Sequence, residues 1–137
     1  MSLAKNQKGF SLVELTIVVV ILGVLSMLAV PRYQTAVERS KASESFAYLA
    51  QIEAGQARYA ARHGQYCKKV TDLDMDIDAP EHFKVGNFTS SNWETKWECK
   101  LTRSGAASGF GAYTVVWDQE GFNAKRSSIK DDLIPVK

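Results

Sequence analysis

The sequence predicts an α+β protein in which one long N-terminal helix packs on a small antiparallel sheet of three or four strands. Three observations predict it. Phe10 to Val30 is a 21-residue run whose only charge is Glu14. A helical apolar pattern resumes beyond Pro31 and continues to Gly64. Past a polar loop, short segments of alternating polarity are separated by Ser-, Asn- and Gly-rich stretches.

The apolar run comes first. Leu15–Val30 reads LTIVVVILGVLSMLAV, without a charge. Crossing a hydrocarbon core takes about 20 mainly apolar residues, and Phe10–Val30 reaches that length. Lys5 and Lys8 precede it with no acid beside them, which favours a cytoplasmic N-terminus. A cleaved secretory signal would end in small residues, but Met27-Leu28-Ala29-Val30-Pro31 has no A-x-A pattern. A buried core helix would need more chain to enclose it than follows. A plain single-span anchor leaves Glu14 unexplained, because an ionisable group there costs roughly 2.5–3.5 kcal/mol on insertion scales.

Pro31 removes an amide donor and clashes with the preceding turn, so it should kink the helix rather than end it. Beyond it, Phe46-Leu49-Ala50 and Ile52-Tyr59-Ala60 recur at helical spacing. Gly64 follows Arg62 and His63, a good stop with basic residues in the last turn. The helix should therefore run from Ser11 to His63, about 80 Å at 1.5 Å per residue. Its first half is apolar all round and its second half amphipathic, suited to lipid at one end and a small domain at the other.

After the loop KKVTDLDMDIDAPEH, strands are expected over His82–Thr89, Glu94–Arg103 and Phe110–Asp118, with a short fourth over Phe122–Arg126. Trp97, Cys99 and Leu101 alternate with Lys96, Glu98 and Lys100, and Tyr113, Val115 and Trp117 with Thr114 and Val116. Short connections imply an antiparallel meander with one face on the amphipathic half-helix.

Composition narrows the function classes. The 137 residues make one domain, or one plus an appendage. Seventeen basic and 15 acidic side chains, net +2, supply no basic face, so no specific nucleic-acid partner is expected. No P-loop, Rossmann or G-x-S-x-G motif is present, and His63 and His82 lack metal-ligand spacing. Neither catalytic residues nor a cofactor are expected. Asp72, Asp74, Asp76 and Asp78 alternate with Leu73, Met75 and Ile77. Calcium loops need a central Gly and a later Glu that are not correctly spaced here, so an extended segment with one wet face is the simpler reading. No metal site is assigned. Phe10, Tyr33, Phe46, Tyr48 and Tyr59 read as packing residues rather than an aromatic path.

Lys8-Gly9-Phe10-Ser11-Leu12-Val13-Glu14, the apolar run and Pro31 together resemble the N-terminus of type IV pilins and the related pseudopilins. That family pattern is a short basic leader ending in Gly, a mature chain starting on a hydrophobic residue, Glu at the fifth mature position and a helix-kinking Pro near the twenty-second. The resemblance covers about a quarter of the chain. It implies a leader of residues 1–9, a transmembrane and filament-core helix of 10–30, and a head domain of 31–137 that includes the second half of the long helix. It also implies that a prepilin peptidase cuts between Gly9 and Phe10 and methylates the Phe10 amine, which keeps its positive charge. Losing Lys5 and Lys8 leaves basic and acidic side chains equal in number.

Glu14 would then pair with the Phe10 amine of a neighbouring subunit and set the axial register between apolar helices, as polar groups do in coiled coils. An intramolecular contact four residues apart is the competing reading. The implied function is that of a structural pilus subunit, not an enzyme. Its implied partners are identical or homologous pilins in a helical homo-oligomer, the peptidase, an inner-membrane assembly platform and, before assembly, membrane lipid. Its implied location is the inner membrane, single-pass, and then the extracellular filament. A pseudopilin of a type II secretion system or a minor pilin is one alternative. A membrane-anchored ligand-binding domain is another. On this topology Cys67 and Cys99 lie where thiols are oxidised, and a disulfide between them is expected, with two separate buried thiols as the alternative. Family disulfides often lie nearer the C-terminus, so the role of that bridge is not carried over.

Overall fold

The computed structural model describes residues 9–76, 78–105 and 109–135. Met1–Lys8 of the expected leader, Ile77 of the acidic loop and residues 106–108 of the Ser-Gly-Ala-Ala-Ser-Gly stretch lie outside the described residues. The chain divides into two compact units, Met1–Ala36 and Val37–Lys137.

Helix α1 spans Leu12–His63 and begins in the first unit. Ser11 caps it: the Val13 amide donates to Ser11 Oγ at 3.3 Å, and the Glu14 carboxylate reaches back to the Ser11 amide at 2.8 Å. These reciprocal contacts satisfy two amides that the first turn otherwise leaves unpaired. The helix passes through Pro31, and Thr35 Oγ1 donates to the Pro31 carbonyl at 3.1 Å. From Phe10 to Gln34 every residue is exposed, and Leu12–Val30 presents Leu, Val and Ile on all sides.

In the second unit α1 buries Glu38, Ala42, Ser45, Tyr48, Leu49, Ile52, Gly55 and Gln56, a stripe at spacings of one, three and four residues. It stops where the sequence indicates. Gly64 adopts φ +72° and its amide donates to the Ala60 carbonyl at 2.8 Å, a left-handed cap that costs glycine little.

Four antiparallel strands follow: β1 Phe83–Val85, β2 Glu98–Arg103, β3 Thr114–Asp118 and β4 Gly121–Phe122, in the order β1-β2-β3-β4. The meander is as expected, but each strand is shorter than its sequence segment. After the Gly86 amide pairs with the Lys100 carbonyl, Asn87 and Phe88 leave the ladder, and Thr89 returns to bridge Glu98. Asn92–Lys96 curls into a turn in which Asn92 accepts from the Thr95 and Lys96 amides. Asn123 does the same for Arg126 and Ser127 and ends the fourth strand early. Short polar side chains and Asn carbonyls outcompete the ladder there.

Cys99, Leu101 and Arg103 face inward from β2, and Trp97 just before it is buried in the same phase, as the alternation requires for Trp97, Cys99 and Leu101. In β3 the alternation fails, because Val115 and Val116 are both buried. The returning segment covers the second face: the Val116 amide donates to Ser127 Oγ at 2.8 Å and its carbonyl accepts from Asn123 at 2.9 Å. Leu49, Ile52, Trp97, Leu101, Val115 and Leu133 are central to the core, which joins the helix stripe to the inner sheet face.

Candidate functional site

The N-terminal apolar segment is the first candidate site. Gly9 and Phe10 precede the helix and are exposed, Phe10 at 90%. Gly9 has open space where a Cβ would stand, which leaves the Gly9–Phe10 bond accessible. The Glu14 carboxylate is accounted for locally by the Ser11 amide. The intramolecular alternative therefore takes the form of a capping box with Ser11 rather than a contact with Phe10. The S-x-x-E spacing was visible in the sequence and carries this signal. The segment beyond is long and apolar enough to cross a membrane, and none of it is buried against the rest of the chain.

A second set of residues fixes the head. Arg103, wholly buried, donates from Nε to Glu38 Oε1 at 2.6 Å and from Nη2 to Oε2 at 3.2 Å, while the Tyr113 hydroxyl donates to Oε1 at 2.9 Å. Arg103 Nη1 also donates to the His82 and Ser104 carbonyls. The paired guanidinium holds the Glu38 carboxyl below its usual range against the opposing effect of burial. Burial, then the bond to Glu38, pushes the Tyr113 phenol up. Sequence periodicity missed this triad because its members lie on three elements. Their only signals are a charge on an apolar helix stripe and Arg103 in phase with Trp97-Cys99-Leu101.

Two further polar links tie loops to α1. Gln56 is fully buried and forms a two-way pair with Cys67: Nε2 donates to the Cys67 carbonyl at 3.0 Å, and Oε1 accepts from the Cys67 amide at 2.7 Å. Glu44 accepts from the Glu81 amide at 2.7 Å and pairs with His82 Nδ1 at 3.0 Å. Burial alone would raise the Glu44 carboxyl, but these bonds outweigh it and lower it. His63 Nδ1 lies 3.1 Å from the Tyr59 carbonyl, and its ring stacks on that of Tyr59.

Cys67 and Cys99 both enter the core, each as a free thiol. Cys67 Sγ donates to the Lys69 carbonyl at 3.1 Å, and Cys99 Sγ lies 3.9 Å from the Gly86 carbonyl. Burial, with Glu98 adding to it, pushes the Cys99 thiol up to about 12. Among the described residues no three His, Cys, Asp or Glu side chains converge to hold a metal. Asp72, Asp74, Asp76 and Asp78 are exposed. Phe46 packs edge-on to Trp117 and against Phe122, Tyr48 is buried, and Phe10 and Tyr33 stand exposed, so these aromatics form no single row.

Residues 4–30 match the family model described as a prokaryotic N-terminal methylation motif. The chain is 30% identical over 103 residues to the type IV major fimbrial protein FimA of Dichelobacter nodosus, an alignment covering 75% of this chain and 62% of that protein. The motif and this relative support the type IV pilin family for this chain. Over 69 residues the chain is 37% identical to the type IV major pilin protein PilE1 of Neisseria gonorrhoeae, covering 50% of the chain and 42% of that protein. Over 44 residues it is 52% identical to the fimbrial protein EcpC of Eikenella corrodens, covering 32% and 29%. The chain thus spans less than two thirds of each of these relatives. No solved structure matches it. The methylation motif lies on the N-terminal segment, residues 4–30.

Proposed function

We propose that this chain is a structural subunit of a type IV pilus filament. The observation that carries the reading is the capped apolar helix, exposed on every side, with the exposed Gly9–Phe10 pair at its start. Its leader is residues 1–9, its membrane and filament-core helix 10–30 and its head 31–137. A prepilin peptidase cuts after Gly9 and methylates Phe10. The subunit waits in the inner membrane with its N-terminus cytoplasmic, and an assembly platform moves the helix from lipid into the core of an extracellular filament. The chain itself catalyses nothing in this scheme. The test is the intact mass of protein from its host, which should correspond to loss of Met1–Gly9 and an N-methylated Phe10. An uncut chain, or a start near Val30, would sink the reading.

Glu14 serves as a cap in the isolated helix and, in the filament, as the partner of a neighbouring Phe10 amine. Cleavage makes Phe10 the terminus and leaves the Ser11 amide in place, so the carboxylate can serve both groups. Pro31 bends the helix where it leaves the apolar layer. The head then stands in an oxidising compartment, where we infer that Cys67 and Cys99 pair. Both already belong to one core cluster. Finding two free thiols per chain in denatured, unreduced protein from its host would refute the pairing.

A further inference from the structure

We propose that a cleft along the free edge of β1 takes an extended peptide strand of a partner protein, with an apolar side chain flanked by carboxylates. Three observations converge on it. The first is the direction of the backbone groups. The Gly86 amide donates to Lys100 O at 2.9 Å and the Ser104 amide to His82 O at 3.0 Å. His82, Lys84 and Gly86 therefore turn their backbone toward β2, and Phe83 and Val85 turn theirs to the open side. β1 is the outermost strand, so the Val85 amide and carbonyl present a pairing edge.

The second is an unpartnered hydroxyl. Tyr48 is 96% buried, since only 4% of it is exposed, yet its side chain lines this cleft. Among the described residues its hydroxyl makes no hydrogen bond, and no fully buried side-chain polar atom is left unsatisfied. Tyr48 borders the cleft, where a ligand's polar group can meet its hydroxyl. A buried phenol normally finds a partner, so one that does not marks a place for a ligand's polar group.

The third is the chemistry of the walls. The cleft is open, has a volume of about 430 Å³, and is lined by Tyr48, Val70, Val85 and Phe88 together with Lys68 and Lys69. That volume lies in the range of specific ligand sites. Among the described residues no acidic side chain lines it, so the two ammonium groups favour an anionic neighbour. A lipid chain would cover the apolar wall but leave the Val85 edge unpaired. A peptide strand satisfies both, its main chain pairing with Val85 at the usual strand spacing and its apolar side chain resting on Val70 and Phe88. This inference goes beyond the filament reading and does not depend on it.

The test uses the full chain, labelled with nitrogen-15, in detergent micelles. The probe is a capped pentapeptide alternating valine and glutamate. Saturable amide shifts are expected at Val85 and its neighbours. The pair Lys68→Glu and Lys69→Glu, both on exposed side chains, should weaken binding by on the order of tenfold or more with spectra otherwise intact. Tyr48→Phe should weaken it several-fold. The same peptide with N-methylated backbone amides should not bind. Absence of saturable shifts, unchanged affinity in the lysine variant, or equal binding of the N-methylated peptide would each overturn the proposal. Dodecanoate giving the same shifts at equal affinity would reassign the cleft to an anionic amphiphile. Concentration-dependent shifts without peptide would make the occupant a second copy of the chain.

Discussion

At the scale of single residues, carboxylates do the positioning. Glu38 holds Arg103 and Tyr113 at once, in a site that water does not reach. Removing one member leaves the other charge buried, so Arg103→Met should destabilise the head by about 3–5 kcal/mol in thermal or denaturant unfolding. Replacing Glu38 and Arg103 together with apolar residues should cost much less. The pair also sets a pH dependence. The folded Glu38 carboxyl titrates below its ordinary value of 4.5. Its contribution is complete above that ordinary value and is lost as the pH falls through the lower folded value. The melting temperature should therefore drop between pH 5 and pH 3 by more in the parent than in Glu38→Gln, read by circular dichroism. Glu14 belongs at this scale too. Glu14→Ala should insert in the membrane at least as well, sparing about 2.5–3.5 kcal/mol, and should lose filaments. Glu14→Gln keeps the cap to Ser11 but not the charge, so it separates the two roles: filament loss there assigns the requirement to the charge.

At the scale of elements, the junctions are set by polar side chains and close approaches. β1 meets β2 through Gly86, where an added Cβ would stand 2.7 Å from the Lys100 carbonyl. Because the clash is with backbone, Gly86→Ala must move the strand, and we expect a loss of at least about 1 kcal/mol and broadened amide signals over Phe83–Val85. Gln56 performs for the loop after α1 what a strand ladder would otherwise do. Gln56→Leu leaves the Cys67 amide and carbonyl buried without partners, so a loss of roughly 2 kcal/mol or more is expected from equilibrium unfolding.

At the scale of the whole molecule, each of the two units answers to its own solvent. The described residues of the first unit, 9–36, bury nothing and keep an apolar surface, which lipid or neighbouring helices must cover. Val37–Lys137 builds a core of its own around Trp97, Leu49 and Leu133. Detergent should therefore be needed to keep the full chain monodisperse, as read by light scattering, whereas head stability should change little with detergent type. If the chain stays monomeric without detergent, the membrane reading of the first unit is wrong.

The sequence by itself determined the helix, its stop at Gly64, the antiparallel meander and the family resemblance, because periodicity, glycine conformation and an N-terminal motif are local properties of consecutive residues. It also gave the inward set Trp97, Cys99 and Leu101. It did not give the strand ends, because Asn92 and Asn123 win their backbone groups by geometry that propensity does not weigh. Nor did it show that Val116 is buried, since the segment covering it returns across a turn, from Asn123 to Ser127. Only the tertiary structure brought Glu38 from the helix to Arg103 on β2 and to Tyr113 just before β3, and left the Tyr48 hydroxyl without a partner among the described residues beside the free edge of β1. Those sites are made by residues far apart in sequence, where a charge or a hydroxyl is favourable or costly according to what packs against it.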